Sequence, residues 1–160
     1  MENIEILAKN WTNSEAENVD VSDGFYCKNR DIFQAKLDVM ASELLSNKKI
    51  EEDKIYIIAA IAGEIGNNSF DHNLGNWPNI PGIFFGYEYL KSGLAVVLAD
   101  RGQGVLATLR KVRPNIQNDK EALQIAFTEK ISGRAPENRG NGLKFVASSV
   151  KDFQIQLDFY

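Results

Sequence analysis

The sequence holds one cysteine, Cys27, and one histidine, His72. A lone cysteine excludes an intrachain disulfide and any multi-cysteine metal knuckle, and a lone histidine with no cysteine pair argues against a zinc site. Prolines are few, and no low-complexity run interrupts the chain. Positive charge is scarce too. Against 22 Asp and Glu stand 18 Lys and Arg, for a net charge of -4, and no basic run of the kind a nucleic-acid surface needs. No apolar segment approaches membrane-spanning length, and residues 1–9 lack the basic start and apolar block of a secretory leader. These absences predict a cytoplasmic protein that binds neither nucleic acid nor membrane.

What is present is ordinary globular material: 160 residues, 44% hydrophobic and 25% charged, enough for a single compact domain over 1–160. Residues 1–30 form an N-terminal extension, in which EILA and VDV read as short strands and SDG as a turn. Phe33, Leu37, Met40 and Leu44 recur at helical spacing and predict a helix over 31–46. A second helix follows over 51–72, with two acids in its first turn, where the helix dipole favours them. NLGNWPNIPG is a loop by composition, and GIFFGYEYL and GLAVVLAD are two strands joined by LKSG. Within the mixed segment 105–138, KEALQIAFTEKI reads as a helix with Asn118 and Glu121 spaced as a capping box. RGNGLKFVASSVKDF is a glycine turn opening a helix, and FQIQLDFY alternates as a last strand. This order of elements predicts an α+β fold, a two-layer α/β sandwich.

Three stretches carry chemistry. The first is GEIGNNSFDHN, where the apolar helix over 51–72 becomes Glu64, Asn67, Asn68, Asp71 and His72. At roughly 100° per residue these share a side with Ile57, Ala60 and Ile61. The expectation is a buried stripe that turns polar, as the wall of a pocket does; the other reading is a helix leaving the core with two wet turns. Carboxylate and amide oxygens there suit a hard cation such as Mg²⁺.

The second is GLAVVLADRGQGV, a strand ending at Asp100 and followed by Gly102 and Gly104. A strand-end carboxylate beside glycines suits a base with an exocyclic amino group; it also suits a plain Asp-Gly turn. A dinucleotide fold would need a second strand ending in an acid about 20 residues on. The sequence there, RPNIQNDKEALQ, is loop and helix, so that fold is excluded. The third is NRGNGL, with Gly140 and Gly142 leading into a helix, whose free N–H groups and dipole suit phosphate. Arg134, Arg139 and Lys144 lie near enough in sequence to add charge, and the alternative is a glycine helix cap. No Walker A pattern occurs.

Taken in order, the three motifs resemble the N, G1 and G2 boxes of the GHKL ATPase superfamily over about residues 31–160. That group includes gyrase-type, MutL-type and chaperone ATPases, histidine-kinase catalytic domains and anti-sigma serine kinases. The resemblance implies a Bergerat ATP-binding fold, a mixed and mostly antiparallel sheet covered on one face by helices. It implies ATP or ADP with Mg²⁺ as ligands. Asp100 would accept from the adenine amino group beside Gly102 and Gly104, and Asn68 would hold Mg²⁺. Arg139, Gly140, Gly142 and Leu143 would cradle phosphate, residues 105–139 would form a lid, and Glu64 would orient or deprotonate the attacking water or hydroxyl. The implied activity is ATP hydrolysis or phosphorylation of a partner protein on Ser or Thr in a signalling or regulatory system. The alternative is a non-catalytic, nucleotide-gated interaction module. A protein partner is expected, and a homodimer is compatible with the resemblance.

Overall fold

The computed structural model describes residues 3–22, 24–91, 93–129 and 141–160. They fall into two compact units, Met1–Gly102 and Gln103–Tyr160. The described residues are α+β, with six α-helices, a short 3-10 turn and a three-stranded antiparallel sheet.

In the first unit the sheet order is β1-β2-β3, from Tyr26–Cys27, Ile83–Leu90 and Gly93–Asp100. β2 and β3 form the predicted hairpin, in a register that sets Ile83 against Asp100 and Leu90 against Gly93. Side chains alternate between the two faces of a strand, and both faces of this hairpin are apolar. Ile83, Phe85, Leu94, Val96 and Leu98 meet Phe33, Leu37, Met40 and Leu44 of α2 (Arg30–Asn47) and Ile55, Ala62 and Phe70 of α3 (Glu52–Asn73). Both helices fall where their periodicity puts them, and Asn29 caps α2 by accepting from Ile32 N at 3.0 Å.

The opposite face corrects the sequence reading. EILA is not a strand: α1 spans Ile4–Asn13, capped by Asn3, and lays Ile4, Ala8 and Trp11 on Phe84, Ala95, Val97 and Ala99. Four residues are too short a window to reveal that i, i+4, i+7 spacing. The sheet is therefore covered on both faces rather than one. VDV forms no strand either; it follows the 3-10 turn Ala16–Asn18 and contributes buried Val19 to the α1 cluster. Among the described residues all strand pairing is antiparallel, so the expected mixed sheet is not seen.

The second unit holds α4 (Gly104–Arg110), α5 (Asp119–Thr128) and α6 (Gly142–Asp152). Leu109, Ile116, Ala122 and Ile125 form its core cluster. Asn118 caps α5 as expected, accepting from Glu121 N at 3.0 Å, while the Glu121 carboxylate reaches Gln117 N at 2.7 Å. The predicted terminal strand FQIQLDFY is not one. After α6 the backbone turns at Gln154, with φ of 51°, and residues 155–160 join no ladder among the described residues. Their alternation still half-buries Ile155 and Leu157, and Phe159 meets Phe127 edge-on at 5.4 Å. Alternation marks a one-sided burial; a strand also needs a partner for its backbone groups.

At Gly66, α3 comes close to Phe33 of α2 and to Leu98 of β3. A Cβ at Gly66 would overlap the edge of the Phe33 ring at Cζ and lie 3.1 Å from Leu98 Cδ2. Gly66→Ala should therefore overpack the site and cost about 1–3 kcal/mol, measured as a lowered urea midpoint with an unchanged slope.

A tie between α2 and β2 gives a pH signature. The Tyr87 hydroxyl donates to Glu43 Oε2 at 2.5 Å. Burial first, then this hydrogen bond and the Glu43 charge, push the phenol from its ordinary value of 10.0 up to about 12. The fold thus favours neutral Tyr87. Its contribution is intact below pH 10 and is lost as pH rises from 10 toward about 12. Stability measured across that window should fall less steeply in Tyr87→Phe than in the parent protein.

Candidate functional site

The residues of GEIGNNSFDHN divide by side once α3 is placed on the sheet. Its buried face runs through Ile55, Ala62 and Gly66, with Phe70 packed against the same cluster. Glu64 lies about 200° from Ala62 on the helix wheel and is exposed, as is Ala60. The stripe expected to be buried and polar is thus not buried at Glu64. Asn67, Asn68, Asp71 and His72 are half-buried. Asp71 pairs with Arg30 at the start of α2, which gives it a structural role. The Asn67 Oδ1 atom is buried without a hydrogen-bond partner among the described residues, which costs about 1–3 kcal/mol in an acceptor of this kind.

Asp100, at the end of β3, is the centre of the arrangement. It follows Leu98 by two positions, so it leaves the sheet on the α3 side. There Ser69 Oγ donates to its Oδ2 at 2.6 Å, and Gly102 N donates to its Oδ1 at 2.8 Å. The half-buried carboxylate is thereby fixed in orientation by one helix and by its own turn. Asn68 is the immediate neighbour of Ser69, so the strand-end acid and the polar turns of α3 adjoin one another.

Three residues that sequence reasoning passed over shape this place. Ser69 is one; its hydroxyl is 31 positions from the acid it binds, and no local pattern announces such a pair. Asn73 is the second, 3% exposed, donating from Nδ2 to Ser69 O at 2.9 Å. Gly102 rests against the Asn73 amide so closely that a Cβ would overlap it. Arg101 is the third; its guanidinium turns to the other face and binds carbonyl oxygens at the end of α1.

In the second unit Gly104 opens α4 with φ of 79°, in open space. Gly142 opens α6 and is half-buried, as is Leu143 beside it; the preceding Asn141 makes no side-chain cap. Arg139 and Gly140 lie outside the described residues, as does Arg134. The expected lid, residues 105–139, is described as far as Glu129 and contains α5 with most of α4, joined by the Leu109–Ile125 core. Among the described residues no three His, Cys, Asp or Glu side chains group as a metal site. A cation here would have Asn68 as its protein ligand and would draw its other oxygens from ligand and water, which is normal for Mg²⁺. No described helix is long and apolar enough to cross a membrane.

The two glycines of the DRGQG stretch are needed for different reasons, one for space and one for backbone conformation. Gly102→Ala should cost about 1–3 kcal/mol by displacing Asn73, and Gly102→Asn should cost more. Gly104→Ala should cost about 1–2 kcal/mol from its left-handed backbone, and Gly104→Asn less, since Asn tolerates that region. Thermal unfolding of the four variants checks the reversed ranking.

Comparison of the chain with protein-family models, curated proteins and solved structures returned no match in any of the three.

Proposed function

We propose that the chain is a GHKL-type domain of Bergerat fold that binds ATP with Mg²⁺ and hydrolyses it or transfers its γ-phosphoryl group to a partner protein. The observation that carries this reading is the oriented Asp100 carboxylate, held by Ser69 of α3 and by Gly102. A carboxylate has about four lone-pair sites, so with one bond made at each oxygen both can accept again. An exocyclic amino group on a nucleobase is a donor of that kind. Asn68 offers an amide oxygen to Mg²⁺, which would neutralise phosphate charge. The assignment of Arg139, Gly140, Gly142 and Leu143 to phosphate rests on the NRGNGL motif alone.

Glu64 takes the role of orienting or deprotonating the attacking water or hydroxyl. Its exposed position favours a second reading as well. A carboxylate open to water is a slow general base, which suits a module that binds nucleotide to gate a protein partner.

Melting with and without millimolar ATP and Mg²⁺ tests binding. A ligand at 100 times its Kd adds about 2.7 kcal/mol to the folded state, so a rise of several degrees is expected. Asp100→Asn should abolish the rise, although its amide oxygen can still accept from Gly102 N. No rise with the parent protein sinks the nucleotide reading. With ATP labelled at the γ-phosphate, free phosphate marks an ATPase and a labelled foreign protein a kinase. Glu64→Ala should keep binding and lose turnover; unchanged turnover removes Glu64 from the chemistry.

A further inference from the structure

Asp100 and Arg101 are consecutive, and they leave the end of β3 toward opposite faces of the sheet. Asp100 meets Ser69 of α3, whereas Arg101 reaches α1. Arg101 Nη1 donates to the carbonyls of Trp11 at 2.6 Å and Thr12 at 2.7 Å, and Nη2 donates to that of Ser14 at 2.5 Å. Nε donates to Asn79 Oδ1 at 3.2 Å, and the guanidinium lies 5.8 Å from the Trp11 ring centroid. The last carbonyls of a helix lack partners within it and carry its negative dipole end. Arg101 satisfies both needs at the C-terminus of α1. All three guanidinium nitrogens of Arg101 are thus committed.

The same residue stands in the middle of the turn closed by Gly102 N and Asp100 Oδ1. The backbone torsions that aim the guanidinium also set the direction of the carboxylate. We propose that Arg101 is the positioning residue of this site, anchoring the Asp100–Gly102 turn to α1 so that the carboxylate is held in one orientation before a ligand arrives. α1 then belongs to the site without touching it. Loosening its last turn frees the acid on the far face of the sheet. The effect expected on ligand affinity rests on the nucleotide reading above; the effect on the turn does not.

The control is at the other end of α1, where Ile4 N donates to Glu88 Oε1 at 2.9 Å. Glu88→Ala releases the N-terminus of α1 and leaves the Arg101 contacts in place. Amide exchange at Gly102, followed by NMR in the full chain, should speed on the order of tenfold in Arg101→Gln and remain near the parent rate in Glu88→Ala. Both variants should lower the melting temperature. Arg101→Lys should restore part of that loss through its charge, but not the protection of Gly102, because an ammonium lacks the fork that spans three carbonyls. The Kd for ATP with Mg²⁺ should follow Gly102 exchange across the three variants and not the melting temperature. Equal exchange at Gly102 in Arg101→Gln and the parent, or equal acceleration in Glu88→Ala, overturns the proposal. If the parent protein binds no nucleotide, the nucleotide reading falls, and the exchange rates alone decide the role of Arg101.

Discussion

The first unit is organised by a single constraint, the two-residue alternation of the β2–β3 hairpin. Because both of its faces are apolar, each must be covered. α2 and α3 cover one through Phe33, Met40 and Ala62, and α1 covers the other through Ile4, Ala8 and Trp11. The same alternation continues past the last pair of the ladder. It sends Asp100 to one side and Arg101 to the other. The candidate site is thus a direct extension of the rule that builds the core.

The elements that could be read from sequence are those whose signals are local. α2 and α3 show repeated apolar spacing over five turns or more, the hairpin shows two strand-like runs across a short turn, and Asn118 marks the start of α5. α1 gives a weak signal because polar residues interrupt its Ile4, Ala8, Trp11 stripe. Residues 155–160 depart from the sequence pattern for another reason, since Ile155, Leu157 and Phe159 alternate with no strand to pair with among the described residues. Burial pattern and hydrogen-bond pattern usually coincide, and here they part.

The site was legible in its parts and less so in its assembly. Asp100 and Asn68 could be picked out by residue type, and the structure sets the helix of one beside the strand end of the other. The side of α3 that packs could not be picked out, because its key positions are Ala62 and Gly66. Small residues carry little weight in a hydrophobic pattern, yet they are what lets a helix come close to a sheet. Ser69 and Asn73 escape for a related reason, since each is explained only by the distant Asp100–Gly102 turn.

One feature of α1 sets a length. Glu88 receives its first turn and Arg101 its last, so the helix spans a fixed distance on the hairpin. Ten residues of helix measure about 15 Å at 1.5 Å each. The helix is therefore a ruler cut to the strand beneath it. One residue added within α1 would lengthen it by about 1.5 Å and rotate everything beyond by roughly 100°, withdrawing Trp11 from the sheet and its carbonyls from Arg101 together. A residue added between Ser14 and the 3-10 turn at Ala16, before Val19 returns to the α1 cluster, meets no such measure. Tolerance to changes of chain length should change abruptly at Ser14, on a part of the surface that gives no outward sign of it.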